Sequence, residues 1–249
     1  MPEQKTIVVS STEQLFDPKS RRSFLKLIGV GGAMVFLPSV LTKCNNNNDS
    51  ITGPNTGSPL VIDFSKGDIA VLQFAYALEQ LEADFYTKVV ANLSGSNIPA
   101  AEQTILTDIK NHEVIHRQAL KTVLGASNDF TVTTTYSGLN FQSRASVLAT
   151  AQTFEDLGVA AYNGAAQYLT DVNNLLVAGK IVSVEARHAS AIRDLLNPKA
   201  SGSLSFAPTA FDDAFSPAKV ASNAQGFIVD MLQFKNAPAT FVQGPNANG

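Results

Sequence analysis

The sequence of 249 residues has one cysteine, three histidines and no tryptophan, and only 16% of its residues are charged. A single cysteine excludes a disulfide framework and a zinc site built from thiolates. A net charge of −3 does not indicate a surface for nucleic acid, so no nucleic-acid partner is expected. The hydrophobic fraction of 45% excludes a disordered chain and is ample for a packed core. Histidine chemistry is therefore restricted to His112, His116 and His188.

Residues 1–43 have the architecture of an export signal. The basic run Ser20-Arg21-Arg22-Ser23-Phe24-Leu25-Lys26 precedes an apolar run that ends at Leu41, and paired arginines in this position are typical of the twin-arginine route. The apolar run is shorter than the roughly 20 residues that span a bilayer, and Pro38 interrupts it. We therefore expect an exported protein that is periplasmic or associated with the cell envelope. An N-terminal membrane anchor is the alternative.

Cys44 follows the apolar run at the place where a lipoprotein carries its acylated cysteine. A lipid anchor at Cys44 is therefore a candidate, although lipoprotein processing favours a small residue where this chain has Lys43. Residues 44–67 are rich in Asn, Gly, Pro, Ser and Thr, and this composition predicts a polar linker.

Apolar residues at helical spacing predict four helices, over 68–91, 99–125, 143–168 and 173–196. The first two are joined by about eight residues and the last two by only a few, so each pair must form an antiparallel hairpin. Residues 126–142 are long enough to run back along the bundle between the two hairpins. The predicted fold class is all-α, with residues 68–196 forming a four-helix bundle that has one long crossover.

The tail, residues 197–249, is predicted to be an irregular extension that packs on the bundle. Short helices are expected over 217–225 and 227–235. We expect the phenylalanines of the tail to pack on the outside of the bundle, namely Phe206, Phe211, Phe215, Phe227, Phe234 and Phe241.

Carboxylates and histidines interrupt the apolar faces of all four predicted helices, at Glu79, Glu113, His116, Glu155, Glu185 and His188. Buried carboxylates without partners are costly, so this set demands a compensating cation. Residues i and i+3 share one helix face, and each Glu-x-x-His pair can therefore reach one metal. One Glu from each of two helices, with Glu-x-x-His from each of the other two, is the pattern of a dinuclear carboxylate site. Oxygen-rich ligation with one imidazole per metal suits iron or manganese.

The first and third helices echo each other around these acids. Tyr86 follows Glu79 by seven residues, and Tyr162 follows Glu155 by seven. Both tyrosines are candidates for hydrogen bonds to ligand carboxylates, and ordinary core aromatics are the alternative. Glu82 lies one turn from Glu79 and competes with it as a ligand. Glu79 is preferred because only its spacing to the tyrosine is repeated in the third helix.

Residues 68–196 resemble the ferritin-like superfamily through Glu79, Glu113-x-x-His116, Glu155 and Glu185-x-x-His188. The run Leu78-Glu79-Gln80-Leu81-Glu82-Ala83-Asp84-Phe85-Tyr86 is similar to exported proteins labelled desiccation-related ferritin-like proteins. The resemblance implies that Glu113 and Glu185 bridge two metal ions, that Glu79 and Glu155 are terminal ligands, and that each histidine binds one metal.

The superfamily hosts ferroxidases, peroxidases, manganese catalases and oxygenases. The resemblance therefore implies oxidation of Fe(II), or reduction of peroxide or dioxygen, in a stress-protective role. No catalytic residues separate from the metal ligands are expected. The sequence leaves open whether the protein is catalytic and whether it is an oligomer.

Two other interpretations compete with the dinuclear one. His112-Glu113-Val114-Ile115-His116 is a His-Glu-x-x-His string, which in zinc proteases supplies two ligands and a general base. This interpretation leaves the inward carboxylates of the other three helices unexplained and is a remote alternative. The other is a metal-free structural or desiccation-protective envelope protein, in which the metal site has decayed or the inward acids pair with Arg117 and Arg187.

Overall fold

The computed structural model describes residues 59–244, so the predicted export signal, Cys44 and most of the predicted linker lie outside the described residues. The elements of the described part are, in chain order, β1 (Pro59–Asp63), α1 (Asp68–Ala91), α2 (Ala100–Leu124), α3 (Arg144–Ala165), α4 (Val172–Leu196), α5 (Pro217–Ala224) and β2 (Met231–Lys235). None of the described helices is long and apolar enough to cross a membrane.

The ends of the bundle helices follow from local chemistry. Pro99 stands just before α2, and Gly125 ends it with a φ of 67°, a left-handed conformation that glycine adopts without strain. The side chain of Ser143 accepts a hydrogen bond from the backbone N–H of Ser146 and so caps the start of α3. The predicted bounds of the helices therefore differ from the observed ones by a few residues at most.

Two apolar clusters fill the interior of the bundle. The large apolar layer includes Phe85, Leu106, Leu148 and Ile192, and the small apolar layer includes Leu72, Leu120, Tyr162 and Ile181. The directions of the helices follow from polar contacts between their ends. Arg144 at the start of α3 donates to Glu102 near the start of α2 and to the carbonyl oxygen of Leu195 near the end of α4, whereas Asp68 at the start of α1 accepts from Thr170 just before α4. Helices α1 and α4 therefore run in one direction, and α2 and α3 run in the other. The segment 126–142 therefore returns along the bundle, which confirms two antiparallel hairpins joined by a long crossover.

Polar contacts fix the two hairpins to each other at both ends. At one end, Arg144 at the start of α3 donates to both carboxylate oxygens of Glu102 on α2, at 2.6 and 2.9 Å, and to the carbonyl oxygen of Leu195 at 2.6 Å. At the other end, Asp68 at the start of α1 accepts hydrogen bonds from the N–H and the hydroxyl of Thr170 at 2.8 and 2.7 Å. These contacts hold the four helices in one register.

The tail covers the bundle mainly through its aromatic rings. Phe227 packs edge-to-face on Phe154 with ring centroids 4.6 Å apart, and Phe234 packs likewise on Phe74 at 5.5 Å. The expectation was wrong for Phe206, which is 61% exposed. It lies between α4 and α5, where the chain forms only a short 3-10 turn and no regular element returns the ring to the bundle.

The predicted helix over 227–235 is also wrong. A 3-10 turn over Gln225–Phe227 is followed by β2, which pairs in parallel with β1 so that Leu60 lies opposite Leu232. A short apolar run such as Met231–Lys235 is equally compatible with helix or strand from its pattern alone. The partner strand β1, which lies inside the predicted linker, decided the outcome by supplying the backbone hydrogen bonds.

Candidate metal centre

The six predicted ligand side chains meet inside the bundle, where the two apolar layers adjoin. Helices α1 and α3 each supply one carboxylate, and α2 and α4 each supply a carboxylate and a histidine one turn later. The four carboxylates are fully buried, namely those of Glu79, Glu113, Glu155 and Glu185. The imidazoles of His116 and His188 are nearly so. The local reason is the i, i+3 spacing, which places both members of each pair on the inward face of their helix.

Donor atoms of these side chains form two overlapping groups. The first comprises Glu79, Glu113, His116 and Glu185, and the second comprises Glu113, Glu155, Glu185 and His188, with all donors of a group within 4.8 Å of one another. Two donors about 2.0–2.2 Å from one ion lie at most about 4.4 Å apart, so each group has nearly the dimensions of a coordination shell. The cluster is therefore compatible with a metal site, and Glu113 and Glu185 belong to both groups.

The histidines contact the shared carboxylates in a reciprocal way. Nδ1 of His116 lies 2.8 Å from Oε1 of Glu185, and Nδ1 of His188 lies 2.8 Å from Oε1 of Glu113. Oε2 of Glu113 lies on the other side, 3.7 Å from Nδ1 of His116. Glu113 thus directs one oxygen toward each histidine, which is the orientation that a bridging carboxylate requires.

Most of the atoms that could bind a metal make no hydrogen bond. The close approaches between histidine and carboxylate lack hydrogen-bond geometry, and within residues 59–244 no hydrogen bond reaches Nδ1 of His116 or His188, either oxygen of Glu113 or Glu185, or Oε2 of Glu79 or Glu155. Burying this many unpaired acceptors is costly unless a cation binds them. The donor set therefore fits a metal. The described residues contain no ion pair from Arg117 or Arg187 to this cluster, so the pairing of the inward acids with these arginines is wrong.

Two tyrosines orient the outer carboxylates. The hydroxyl of Tyr86 donates to Oε1 of Glu155 at 2.5 Å, and the hydroxyl of Tyr162 donates to Oε1 of Glu79 at 2.6 Å. Each tyrosine supports the carboxylate of the other helix rather than its own. Both hydrogen bonds leave Oε2 of the carboxylate directed at the cluster.

Burial and mutual repulsion disfavour the ionised carboxylates. Desolvation, with the negative charge of Glu113, raises the pKa of Glu79 to about 7 although His116 opposes the shift. Desolvation also raises the pKa of Glu185 well above its usual range, and the charge of Glu113 adds to the effect. Glu113 is the exception, because its contacts with both histidines outweigh desolvation and lower its pKa to about 2.

In the two histidines, by contrast, the charged form is favoured. Burial lowers the pKa of His116, but contacts with Glu113, Glu185 and Glu79 outweigh it and raise the pKa to about 12. His188 is also desolvated, and its contacts with Glu113 and Glu155 nevertheless raise its pKa to about 10. The metal-free cluster therefore retains protons that a metal must displace when it binds.

Glu82 lies one turn beyond Glu79 and is also buried, with 3% exposure. It makes no hydrogen bond or ion pair within the described residues, and desolvation together with the charge of Glu185 raises its pKa well above the usual range. Its carboxylate occupies the space next to Gly158 on α3, where an added Cβ would lie 3.0 Å from Oε1 of Glu82. Gly158 was missed in the sequence, although it stands three residues after Glu155, as Glu82 does after Glu79.

His112 lies outside both donor groups. It is exposed, and its Nδ1 is 2.9 Å from Nε2 of His188, on the side of that imidazole opposite the cluster. A zinc-protease site would need His112 and His116 at one ion. The structure instead makes His112 the hydrogen-bond partner of His188.

A bundle of two antiparallel helical hairpins around a buried carboxylate–histidine cluster defines a helical protein with a potential metal centre. The profile of the ferritin-like domain family matches residues 67–198, just over half of the chain. The chain therefore belongs to the ferritin-like domain family, and the predicted membership of that superfamily is confirmed. The narrower similarity to exported desiccation-related proteins stays a prediction. A search of curated proteins finds no match.

Proposed function

We propose that this protein holds two iron or manganese ions and uses them to oxidise Fe(II) or to reduce peroxide or dioxygen, in a stress-protective role outside the cytoplasm. The observation that carries this proposal is the pair of overlapping donor groups that share Glu113 and Glu185. Sharing supports a dinuclear centre because two separate mononuclear sites would need no common ligands.

The donor set supports the choice of metal. Each group offers one imidazole and three carboxylates. Thiolate-free, oxygen-rich ligation favours iron or manganese over a structural zinc, which prefers cysteine and histidine. Bound iron or manganese supplies the change of oxidation state that peroxide or dioxygen reduction needs, and side chains of the cluster do not.

The chain's own residues have three tasks in this function. Glu79 and Glu155 bind the two ions from opposite sides, and Tyr162 and Tyr86 hold these carboxylates in place. The apolar side chains that surround the cluster exclude bulk water from it. Because the carboxylates have no exposed surface, only a small oxidant or a metal ion fits as substrate.

The proposal is tested by metal analysis of the purified protein, before and after anaerobic reconstitution with Fe(II) or Mn(II). We expect about two ions per chain in the wild type and loss of both in Glu113→Ala and in Glu185→Ala. Glu102→Gln is the matched control, since this carboxylate pairs with Arg144 away from the cluster and should leave the metal content unchanged. Fe(II) oxidation and peroxide turnover should follow the metal content. One zinc per chain, or no metal after reconstitution, would contradict the proposal.

The contacts between the histidines and the carboxylates favour one second candidate, a metal-free structural or desiccation-protective envelope protein. His116 and His188 can supply counter-charge to the cluster themselves, because their pKa values are raised to about 12 and about 10. In this case the metal content would be zero, and Glu113→Ala would alter the stability of the protein without altering any redox assay.

The location of the protein is part of the proposal and is tested separately. Arg21→Lys together with Arg22→Lys should leave the unprocessed protein in the cytoplasm if the twin-arginine route exports it. Cys44→Ala should move the protein from the detergent phase to the aqueous phase if Cys44 carries a lipid. An unchanged distribution in either experiment would remove that part of the proposal.

A further inference from the structure

The two halves of the cluster differ at one pair of equivalent positions. Glu79 corresponds to Glu155, and three residues later Glu82 corresponds to Gly158. A symmetric centre would have a carboxylate at both of these positions or at neither. Here α1 supplies a carboxylate, and α3 supplies the empty space into which it extends, because a Cβ at Gly158 would lie 3.0 Å from Oε1 of Glu82.

The buried carboxylate of Glu82 has no partner that explains it. The charged groups that act on it most strongly are all negative, and come from all four helices of the bundle: Glu185, Glu113, Glu79 and Glu155. Among the described residues it has no hydrogen bond or ion pair. A carboxylate that served only packing would be disfavoured at this place, since an apolar side chain would fill the same volume without the cost of desolvation.

The contacts around Gly158 indicate which side of the cluster Glu82 approaches. Gly158 stands one turn after Glu155 on α3, and Glu155 belongs only to the second group. The Cβ position of Gly158 lies 3.0 Å from Oε1 of Glu82 and 3.2 Å from Oε2 of Glu185. Glu82 therefore extends from α1 toward the helix that supplies Glu155, and its own oxygens lie outside both donor groups.

We propose that Glu82 is an additional metal ligand, which serves the position formed by Glu155 and His188 and makes the two metal positions unequal. This inference rests on the proposed dinuclear function and deepens it. The second position then has one more carboxylate than the first, and the extra negative charge makes it the tighter site. The first position, formed by Glu79 and His116, is the one that exchanges its ion more readily.

The test is a calorimetric titration of the full, metal-free protein with Mn(II) under anaerobic conditions. We expect two binding steps in the wild type. Glu155→Gln should weaken only the binding step of the second position and so identifies it. Glu79→Gln identifies the step of the first position in the same way. Glu82→Gln should weaken the second-position step about 10- to 100-fold and change the other step less than about twofold. Gly158→Ala, which leaves the charge of Glu82 but fills its space, should weaken the same step by a smaller factor.

Asp84→Asn is the matched control, because Asp84 lies two residues from Glu82 on α1 but accepts hydrogen bonds from Thr134 and Tyr136 outside the cluster. It should leave both steps unchanged, and circular dichroism should show that all variants are folded. Glutamine has the shape of a protonated glutamic acid. If Glu82 is only a neutral buried acid, Glu82→Gln will therefore bind Mn(II) as the wild type does, and this outcome overturns the inference alone. A wild type that binds neither Mn(II) nor Fe(II) in this anaerobic titration overturns the proposed function and this inference together.

Discussion

Tyr162 on α3 donates a hydrogen bond to Glu79 on α1, at 2.6 Å, and so connects the two helical hairpins through the cluster. Tyr86 makes the reciprocal hydrogen bond from α1 to Glu155 on α3. Because each hairpin orients a carboxylate of the other, neither half of the cluster is complete until the hairpins have docked. Metal affinity and the docking of the hairpins should therefore depend on the same residues.

Tyr162→Phe should weaken metal binding at the position of Glu79. Removal of the hydroxyl leaves Oε1 of Glu79 buried without its donor, so we expect a loss of affinity of about 10- to 100-fold at that position. The free energy of unfolding should fall by about 1–3 kcal/mol. Tyr86→Phe should have the same effects at the position of Glu155. Mn(II) titration and urea unfolding measure the two quantities.

Tyr136→Phe is the control for these variants. The hydroxyl of Tyr136 donates to the carbonyl oxygen of Leu81 at 3.1 Å and to Asp84 at 2.9 Å, so it hydrogen-bonds outside the cluster. Its removal should lower stability without changing metal affinity. Equal metal affinities for the Tyr162 and Tyr136 variants would refute the orienting role of Tyr162.

His112→Ala should leave the number of bound metal ions unchanged. His112 stacks on His188 and hydrogen-bonds to its outer nitrogen at 2.9 Å, whereas His188 itself belongs to a donor group. We therefore expect two ions per chain in His112→Ala, with some loss of affinity, and fewer than two in His188→Ala, as measured by elemental analysis. Complete loss of metal in His112→Ala would restore the zinc-protease interpretation.

Metal binding should release protons and strengthen as the pH rises. The raised pKa values of His116, about 12, and His188, about 10, mean that both imidazoles are protonated in the metal-free protein at neutral pH. A metal binds only the deprotonated nitrogens, so each histidine must lose one proton. The product of the two binding constants should rise by at least about two powers of ten per pH unit between pH 6 and 8.

Titration calorimetry in buffers with different ionisation enthalpies counts the released protons directly. Glu79 adds to the count at pH 7 and below, because its pKa is raised to about 7 and its proton must also leave. Binding without proton release would mean that the histidines are neutral before the metal arrives.

Gly164→Ala should destabilise the protein by displacing the tail from the bundle. A Cβ at Gly164 would lie 1.9 Å from the carbonyl oxygen of Phe215, whose N–H donates to the carbonyl oxygen of Ala160 at 2.9 Å. Because the obstructing atom belongs to the backbone, relief requires a shift of the tail, and we expect a loss of about 1–3 kcal/mol in urea unfolding.

Gly179→Ala provides the comparison. Gly179 lies in α4 with nothing within 4 Å of the Cβ position, so alanine should stabilise the helix by about 0.5–1 kcal/mol. Destabilisation by both substitutions would show that the close approach of Phe215 is not the cause.

Sequence patterns were sufficient to predict the four bundle helices and the six residues that form the cluster. Glu113 and His116 share a helix face because of their spacing, and so do Glu185 and His188, whatever surrounds them. Capping residues such as Ser143 also act locally, on backbone groups of the next turn. The bounds of the bundle helices were therefore predicted to within a few residues.

Patterns failed where two parts of the chain distant in sequence decide the structure. The run Met231–Lys235 is a strand because β1 lies beside it, and its own residues do not favour strand over helix. Phe206 remains exposed because no regular element holds its segment against the bundle. In both cases the outcome depends on whether a distant part of the chain packs against the segment, and the local sequence does not contain this information.

The sequence by itself determined which side chains form the buried cluster, since helical periodicity places these Glu and His residues on the inward faces of their helices. Tertiary structure alone decided how those faces meet. It placed His112 behind His188 rather than beside His116, paired Tyr86 with Glu155 rather than with Glu79, and set Gly158 against Glu82. The physical reason is that spacing within a helix fixes only directions around its own axis, whereas contacts across the bundle depend on the order and register in which the helices pack.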